Sequence, residues 1–289
     1  MNDKAVLVTV AMPIYNAGSY LRLAVLSIVQ QSFTRWELLI IDDGSTDNAV
    51  DSIADLRDER IKIYSDGRNL GLAVRLNEAC AMATGEYLAR MDQDDVSYSE
   101  RFLRQVQVLQ KNPELDLVSA RAVTIDENDQ ITGMLPFAGS HEEICAHPWR
   151  GFFFPHPAWM GRLEWFRRHR YAQPAPYFCE DQELLLRSYQ QSRFLALNEI
   201  LLAYRTRKHV NWSKLGRTRR ALFVVQWRFF VTSAMWGQML LALIDYAVKR
   251  CAGLLRRDSS YFFFTRVDVS AQVKAEWYKT LDNCADKHF

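Results

Sequence analysis

The sequence predicts an α/β fold, in which a mostly parallel β-sheet is flanked by helices and followed by a C-terminal helical extension. In the first 120 residues, continuous apolar runs of strand length alternate with segments of helical periodicity, and the connections between them are short. This alternation is typical of a parallel sheet covered on both faces. Polar residues follow directly after three of the predicted strands, at the edge where such sheets bind ligands.

The elements of this first half are bounded by residues that favour helix starts, helix ends and turns. Ser19 is placed to cap the first helix, Thr84-Gly85 to end the third, and Pro113 follows the fourth. The predicted strands span 6–12, 36–42, 61–65, 86–91 and 115–120. The predicted helices span 20–31, 48–56, 72–83 and 100–111.

The regular alternation ends after residue 120. We expect a β-hairpin over 123–136 and a helix that begins near residue 179 with acidic residues in its first turn. The apolar stretch beyond residue 211 is interrupted by Arg228, and an arginine at the centre of a membrane-spanning helix costs about 2.5–3.5 kcal/mol. We therefore predict amphipathic helices that lie on a surface, either that of the protein or that of a membrane.

Charge and cysteine content narrow the class of protein. The net charge is +2, yet residues 200–244 carry eight Lys and Arg and no Asp or Glu, which indicates an anionic partner such as phosphates, a membrane surface or nucleic acid. The five cysteines are widely separated, which favours reduced thiols in a cytosolic protein over a zinc site or a disulfide framework. The N-terminal residues lack the features of a signal peptide, so we expect none.

Three aspartates, Asp92, Asp94 and Asp95, follow the fourth predicted strand within four residues. Carboxylates this close repel each other, and a divalent cation relieves the repulsion. Mg²⁺ or Mn²⁺ is commonly held by one or two carboxylates together with substrate phosphates, so we predict such a metal here. The alternative is a solvated acidic turn before the next helix, where negative charge suits the helix dipole.

Asp42 and Asp43 follow the second predicted strand and lead into a Gly-Ser-Thr-Asp turn. One of these carboxylates would accept hydrogen bonds from a base or a ribose at the edge of the sheet. The alternative is a turn that caps the next helix. Both interpretations hold if each aspartate performs one of the two tasks.

Taken together, these motifs resemble those of the family 2 glycosyltransferases, which are inverting enzymes with the GT-A fold. The similarity covers about residues 6–210 and includes "VTVAMPIYNAGSYL", "WELLIIDDGSTD" and "GEYLARMDQDD" in the order and spacing of the family. It implies a Rossmann-like GT-A domain over 1–210, with a nucleotide-binding half (1–120) and an acceptor-side half (121–210). A basic helical extension would then occupy 211–289.

By this resemblance, the donor is a nucleotide-diphospho-sugar, most simply a UDP-sugar, and the cofactor is Mn²⁺ or Mg²⁺. Asp42 would bind the base. Asp92 and Asp94 would form the family's D-x-D element, with Asp94 or Asp95 as the metal ligand. The other residues implied to contact the nucleotide sugar are Pro13, Tyr15, Asn16, Asn69, Gly71, Arg75, Arg205 and His209.

An inverting transfer needs a base that takes the proton of the acceptor hydroxyl, which typically contributes about 10²–10⁴ in rate. The segment "FCEDQELLLR" resembles the Glu-Asp element of the family, which implies that Asp181 is this base and that Glu180 assists it. His156, in "FPHPAWMGR", falls on the acceptor side. An acidic first helical turn and a structural histidine are the alternatives for these residues.

Two other classes of protein share parts of the pattern. The segment 92–96 also fits the D-x-D-x-[TV] motif of haloacid-dehalogenase phosphohydrolases. In that class, however, the motif follows the first strand, and the Gly-Asp dipeptide expected later in the chain is missing here. A non-catalytic sugar-nucleotide-binding module would keep Asp42 and the D-x-D element but would have no need of Asp181.

The predicted function is therefore a metal-dependent inverting glycosyltransferase that moves one hexosyl or N-acetylhexosaminyl group onto a glycan acceptor in polysaccharide biosynthesis. The Gln-x-x-Arg-Trp motif of processive synthases is absent, which favours one sugar per encounter. We expect an acceptor linked to a lipid diphosphate and no nucleic-acid partner. The C-terminal helices would make peripheral contact with the cytoplasmic, inner face of the cell membrane.

Overall fold

The computed structural model describes residues 7–206, 211–254 and 269–285, which form a mixed α/β structure around one nine-stranded sheet. The strands are β1 (Val8–Ile14), β2 (Trp36–Asp42), β3 (Ile61–Ser65), β4 (Tyr87–Arg90), β5 (Val96–Ser97), β6 (Leu117–Ile125), β7 (Ile131–Met134), β8 (Met160–Arg162) and β9 (Phe194–Arg205). The helices are α1 (Tyr20–Val29), α2 (Leu72–Met82), α3 (Arg101–Lys111), α4 (His141–Ile144), α5 (Leu163–Arg168), α6 (Glu180–Ser188), α7 (Trp212–Thr232), α8 (Trp236–Leu254) and α9 (Ala271–Ala285).

The strand order is β3-β2-β1-β4-β8-β6-β9-β5, with β7 paired to β6. Strands β3, β2, β1 and β4 are parallel, whereas β8 lies antiparallel between β4 and β6. The predicted α/β fold with a mostly parallel sheet is therefore confirmed. Because β1, β2 and β4 run in the same direction, their carboxyl ends meet at one edge of the sheet.

All five predicted strands form, and the predicted hairpin is the β6–β7 pair. The predicted helix over 48–56 is instead a short 3₁₀ segment at Ala49–Ile53. There the carboxylate of Asp47 accepts a hydrogen bond from the backbone N–H of Ala49, and the hydroxyl of Ser52 donates to the carbonyl of Ala49. Short polar side chains thus compete for the backbone bonds that an α-helix needs.

Gly85 does not cap a helix, in contrast to the sequence prediction. Helix α2 ends at Met82, and Ala83 is already extended, with φ −58° and ψ 135°. A Cβ atom on Gly85 would lie 2.7 Å from the carbonyl oxygen of Leu7 and 2.7 Å from the backbone nitrogen of Thr9. Glycine is therefore needed here because the chain passes directly against β1 as it enters β4.

Helices cover both faces of the sheet. Side chains that alternate along a strand point to opposite faces. Val10 and Met12 of β1 therefore pack in one core with Leu21 of α1 and Phe102 of α3. Ala11 lies in a second core with residues of α2, α5, α6 and α7. Burial on both faces explains why the central strands read as continuous apolar runs in the sequence.

The C-terminal helices pack against the sheet and its helices. Gln226 of α7 donates a 3.0 Å hydrogen bond to the carbonyl oxygen of Pro148, and Phe230 of α7 is fully buried. Trp277 of α9 is also fully buried, with its ring beside that of Tyr98. Among the helices in the described part of the chain, none is both long enough and apolar enough to cross a membrane. The division of the chain into domains at residue 210 stays a prediction.

Candidate active site

Hydrogen bonds join the three polar clusters at the carboxyl edge of the sheet. The backbone N–H of Tyr15 donates to Oε1 of Gln93 (2.6 Å), and Nε2 of Gln93 donates to the carbonyl oxygen of Tyr15 (3.1 Å). The backbone N–H of Asn16 donates to the hydroxyl of Ser45 (3.0 Å). The structure thus brings the residues after β1, β2 and β4 together. Tyr15 and Asn16 are exposed at this edge, while Pro13 is buried within β1.

The carboxylate of Asp42 is held at this edge by two hydrogen bonds. It accepts one from the backbone N–H of Ser45 and one from the hydroxyl of Ser65, both at 2.9 Å. Burial alone would raise the pKa of Asp42, but these bonds outweigh it and hold the pKa below its ordinary value. An ionised carboxylate fixed in one position can accept hydrogen bonds from a ligand without further rearrangement.

The carboxylate of Asp43 forms hydrogen bonds with other groups of the protein. Its carboxylate accepts hydrogen bonds from the backbone N–H of Gly71 (2.9 Å) and from Nε of Arg75 (2.8 Å). The buried guanidinium of Arg75 also pairs with Asp66 (2.6 Å) and Glu78 (2.8 Å). Arg75, which the resemblance implies contacts the nucleotide sugar, is thus surrounded by carboxylates of the protein itself and fixes the loop before α2.

That loop carries two more residues that the resemblance implies contact the nucleotide sugar, Asn69 and Gly71. Asn69 is exposed, and Gly71 has φ +89°, in the left-handed region that glycine adopts without strain. Because Asp43 holds the loop beside the end of β2, Asn69 lies near the same edge as Asp42.

The three aspartates of the turn after β4 lie in different surroundings. Asp92 forms an ion pair with the buried guanidinium of Arg90. Burial, together with the nearby charge of Asp92, raises the pKa of Asp94 to about 6. Asp95 is almost completely buried, and it accepts a 2.8 Å hydrogen bond from the backbone N–H of Arg205 through Oδ1. Among the described residues, nothing hydrogen-bonds to Oδ2 of Asp95.

The turn does not form a closed metal cage by itself. Within the described residues, no group of three or more carboxylate, imidazole or thiol side chains stands close enough to enclose a metal ion. Two carboxylates and the oxygens of a bound diphosphate would be a sufficient ligand set for Mg²⁺ or Mn²⁺. The unsatisfied Oδ2 of Asp95 and the raised pKa of Asp94 fit a cation at this position.

Arg205, which the resemblance implies contacts the nucleotide sugar, lies behind the aspartate turn, and its guanidinium is bonded to other groups of the protein. Nε donates to the carbonyl oxygen of Asp94 (2.8 Å) and Nη1 to that of Asp126 (2.7 Å). Nη2 lies 2.7 Å from Oδ1 of Asp129, and the Arg205 side chain is only 3% exposed. Its contacts fix the backbone of the turn. His209, predicted for the same task, lies outside the described residues.

Glu180 and Asp181 occupy the first turn of α6. Burial raises the pKa of Asp181 above that of an ordinary aspartate, and burial together with Asp181 raises the pKa of Glu180 to about 7. Nε2 of Gln182 donates a 3.1 Å hydrogen bond to Oδ2 of Asp181. Oε1 of Gln182 accepts a 2.8 Å bond from the backbone N–H of Phe152, which fixes the amide. A positioned carboxylate with a raised pKa has the properties of a general base.

His156 lies next to this pair of carboxylates. Its Nε2 is 2.7 Å from the hydroxyl of Tyr171, and its Nδ1 is 3.9 Å from Oε1 of Glu180. Burial, and to a lesser degree the charge of Arg90, hold the pKa of His156 well below its ordinary value, so the ring is neutral. His156 and Asp181 line the same cavity, of about 400 Å³, which we call the Asp181 cavity.

Sequence reasoning did not identify Arg90 and Gln182 as site residues. Arg90 is buried among the carboxylates, and its charge lowers the pKa values of Asp94, Asp181 and Glu180. An arginine at the end of a buried strand is a signal that could have identified it. The hydrogen bonds of Gln182 depend on the loop at residue 152, and no local pattern in the sequence predicts that contact.

The mixed sheet flanked by helices, with the aspartate turn after β4, has the GT-A fold of known glycosyltransferases. The chain belongs to glycosyl transferase family 2, because the model of that family matches residues 9–170, more than half of the chain. The match ends before Asp181, so the role of that residue is not part of what the family assignment shows.

Comparison with individual proteins agrees with this assignment. The chain is 33% identical over 106 residues to the Escherichia coli enzyme WfgD, a UDP-Glc:α-D-GlcNAc-diphosphoundecaprenol β-1,3-glucosyltransferase. That alignment covers 37% of this chain and 42% of WfgD, and the chain spans less than half the length of the first curated relatives it matches.

Two solved structures share the fold over nearly the whole chain. Staphylococcus aureus TarS 1–349 in complex with UDP superposes with a TM-score of 0.61 and 16% identity, over 96% of this chain and 80% of TarS. The mannosyltransferase PcManGT of Pyrobaculum calidifontis, in complex with GDP-Man and Mn²⁺, gives a TM-score of 0.60 and 14% identity, over 98% and 87%. At these identities the likeness shows the fold alone.

Proposed function

We propose that this glycosyltransferase moves one hexosyl or N-acetylhexosaminyl group from a UDP-sugar to a lipid-linked glycan acceptor, with inversion at the anomeric carbon. The observation that carries the proposal is the position of Asp181. Its carboxylate has a raised pKa, is fixed by Gln182 and opens into a cavity large enough for an acceptor sugar. The edge with Asp42 and the aspartate turn supplies a donor site for the same reaction.

The donor would lie along the carboxyl edge of the sheet. Asp42 would accept hydrogen bonds from the nucleoside, with Tyr15 and Asn16 beside it and Pro13 shaping the end of β1. Asn69 and the backbone at Gly71 would lie near the diphosphate. Arg75, through its pairs with Asp43, Asp66 and Glu78, would keep this loop in place rather than touch the donor.

Mg²⁺ or Mn²⁺ would be held by Asp94, with Asp95 and Asp92 close by. The cation would supply positive charge for the diphosphate that departs from the sugar. The surrounding protein would hold the three carboxylates close together at this position. Arg90 does so through its ion pair with Asp92, and Arg205 does so through the backbone of the turn.

Asp181 would take the proton of the acceptor hydroxyl as its oxygen attacks the anomeric carbon. Attack from the face opposite the departing diphosphate inverts the configuration and needs no covalent enzyme intermediate. Glu180, with a pKa of about 7, and the neutral ring of His156 would bind hydroxyl groups of the acceptor sugar. Gln182 is a positioning residue, because it contacts Asp181 rather than the substrate.

Membrane contact is supported by the exposed face of α8. Trp236, Leu240, Ile244 and Val248 follow one another at four-residue intervals and are each more than 50% exposed, so they form one apolar stripe. A stripe of this kind beside basic residues suits the interface of an anionic membrane. WfgD acts on a diphosphoundecaprenol-linked sugar, which supports a lipid-linked acceptor. The contact would then be with the inner face of the cell membrane.

Turnover of nucleotide sugars tests this function directly. Full-length protein with Mn²⁺ would be incubated with UDP-glucose, UDP-galactose, UDP-N-acetylglucosamine or GDP-mannose and a lipid-diphosphate-linked sugar, and the product linkage determined by NMR. A new glycosidic bond of inverted configuration, absent with Asp181→Asn, supports the proposal. Donor binding without transfer to any acceptor would indicate a non-catalytic binding module instead.

A further inference from the structure

Two exposed phenylalanine side chains line the Asp181 cavity. In the described part of the chain three phenylalanines are exposed, Phe137, Phe153 and Phe178, and the last two line this cavity. Phe153 is 41% exposed and Phe178 is 56% exposed. Neither ring belongs to a hydrophobic core among the described residues. Each ring therefore offers apolar surface that a ligand beside Asp181 would bury.

The residues on either side of Phe153 are used differently. Phe152 and Phe154 are buried. The ring of Phe152 packs beside that of Tyr189, and the ring of Phe154 stacks on that of Phe194, each pair with centroids 5.7 Å apart. Two of the three consecutive phenylalanines thus belong to the core, and the middle one is left uncovered at the cavity.

Gln182 fixes the chain at Phe153 relative to Asp181. The amide of Gln182 accepts a 2.8 Å hydrogen bond from the backbone N–H of Phe152 and donates a 3.3 Å bond to the carbonyl oxygen of Phe152. The same amide donates to Oδ2 of Asp181. Gly151 permits this close approach, because a Cβ atom there would lie 2.9 Å from Oε1 of Gln182. Phe153 therefore follows directly after a backbone group that is tied to the partner of the proposed base.

Phe178 has a backbone conformation that phenylalanine rarely adopts. Its φ is +48°, and the left-handed region costs a residue with a side chain about 1–3 kcal/mol. Its ring is nearly perpendicular to that of Tyr177, with centroids 4.6 Å apart, and Nζ of Lys214 lies 3.6 Å from its centroid. These contacts still leave more than half of Phe178 exposed. Strain of this kind is retained where it orients a side chain for function, and Phe178 lies three residues before Asp181.

We propose that Phe153 and Phe178 form an aromatic subsite that binds a pyranose ring of the acceptor by its apolar face, so that a hydroxyl of that ring reaches Asp181. This proposal rests on the proposed function and extends it by naming residues that recognise the acceptor sugar. A pyranose carries C–H groups on its faces and hydroxyl groups around its edge. Aromatic rings therefore suit the face, and polar side chains such as His156 in the same cavity suit the edge.

A hydrocarbon chain is another apolar group that would cover the two rings, but it suits the cavity less well. Arg150, His156, Asp181 and Thr218 also line the cavity. A hydrocarbon would bury these polar groups without offering them hydrogen bonds, which costs free energy, whereas the hydroxyl groups of a sugar supply such bonds. The exposed apolar residues that suit lipid form the stripe of α8 instead.

Binding of simple glycosides to the full chain tests the proposal. Saturation-transfer NMR titrations would use methyl β-glucoside, methyl β-galactoside and methyl N-acetyl-β-glucosaminide, without nucleotide or metal. We expect at least one glycoside to bind wild type. Its Kd should rise about tenfold in Phe153→Leu/Phe178→Leu, because leucine keeps apolar bulk but removes both rings, and should stay within about twofold in Phe153→Tyr/Phe178→Tyr. Phe137→Leu is the matched control, since Phe137 is also exposed with an arginine over its ring but does not line the cavity.

Two outcomes would overturn the proposal: no binding of any of the three glycosides to wild type, or equal binding by wild type and the double leucine variant. If the double variant fails to fold, Phe178→Asn replaces it, because asparagine tolerates the left-handed region and removes one ring without added strain. A severalfold rise in Kd is then expected, and an unchanged Kd contradicts the proposal.

These binding results do not depend on sugar transfer, because no donor is present. A protein that transfers no sugar but binds a glycoside through the two rings would refute the proposed function alone. Sugar transfer with an acceptor KM that is the same in wild type and Phe153→Leu/Phe178→Leu would refute the aromatic subsite alone.

Discussion

The backbone N–H of Arg205 donates a 2.8 Å hydrogen bond to Oδ1 of Asp95, and Nε of the same arginine donates a 2.8 Å bond to the carbonyl oxygen of Asp94. The end of β9 therefore holds the aspartate turn that follows β4. Arg205 is in turn held by Asp129, and the carbonyl of Asp129 accepts a 2.8 Å bond from the indole of Trp277. A chain of contacts thus links the C-terminal helix α9 to the turn proposed to bind the metal.

Removal of the Arg205 guanidinium should destabilise the protein and weaken metal binding. Arg205→Met leaves the carboxylate of Asp129 without its partner, and breaking a buried ion pair costs about 3–5 kcal/mol. Because Asp129 is partly exposed, we expect the lower end of that range. Thermal unfolding and Mn²⁺ titration with UDP would measure both effects. Arg104→Met, at a half-exposed arginine of α3, is the control, and equal effects of the two changes would contradict this role.

Asp181→Asn should abolish transfer without weakening donor binding. The amide keeps the size of the side chain but cannot accept a proton, so we expect kcat to fall by about 10²–10⁴. The Kd for UDP with Mn²⁺ should stay within about twofold of wild type, since Asp181 lies outside the donor edge. Quenched assays of sugar transfer would measure kcat, and calorimetry on the same preparation would measure the Kd for UDP. A variant that retains more than a tenth of the wild-type kcat would exclude Asp181 as the base.

The pH profile should report the environment of Asp181. The base must be ionised, so kcat/KM should fall as the pH drops through the raised pKa of Asp181. The hydrogen bond from Gln182 lowers that pKa, so Gln182→Ala should move the acid limb of the profile to higher pH. At neutral pH we expect about a tenfold loss of rate. Gln190→Ala is the control, and an acid limb that stays in place for Gln182→Ala would contradict the contact.

Trp277→Ala should detach α9 from the sheet. The indole is fully buried beside Tyr98, and replacing a buried tryptophan by alanine costs about 3–5 kcal/mol of packing. Trypsin should then cleave at Lys274 or Lys279 faster than in wild type, and the affinity for UDP with Mn²⁺ should fall. Tyr278→Phe loses only an exposed bond to Gln130 and should behave like wild type. Unchanged cleavage in Trp277→Ala would show that α9 docks by other contacts.

Charges placed on the stripe of α8 should abolish membrane binding. Leu240 and Ile244 are 54% and 51% exposed, so glutamate at both positions leaves the protein core intact. We expect at least a tenfold loss of cosedimentation with vesicles of phosphatidylglycerol and phosphatidylcholine, because burial of apolar area is replaced by repulsion from anionic lipid. Ile63→Glu, at an exposed apolar residue of β3, should bind as wild type does. Equal binding of all three proteins would rule out this surface.

The sequence predicted most of the fold because its local patterns agree with its tertiary structure. Strands β1 and β2 are nearly continuous apolar runs, and such runs occur where both faces of a strand are buried, as they are here. The polar clusters follow strands β1, β2 and β4 in the sequence. Because these strands are parallel, that position alone predicts that the clusters lie at one edge of the sheet. The short strand β8 was not predicted, because it spans only Met160–Arg162 within an irregular, proline-rich segment.

Individual roles at the site were harder to predict than the location of the site. Asp42 and Asp43 are adjacent in sequence, yet the second binds a loop 28 residues further along the chain. The contact between Asp95 and Arg205 joins residues 110 positions apart. Such long-range pairs leave no local periodicity, so sequence patterns could not show that Arg75 and Arg205 are engaged within the protein.

The most direct test of the central claim is calorimetric titration of UDP, with and without Mn²⁺, into wild type and Asp94→Ala. We predict tight binding to wild type only when Mn²⁺ is present, and at least a tenfold loss in Asp94→Ala. Binding of GDP in place of UDP under the same conditions would change the donor base and leave the metal site in place. Absence of metal-dependent binding by either nucleotide, or equal binding by Asp94→Ala, would contradict the claim that the aspartate turn holds the metal against the donor diphosphate.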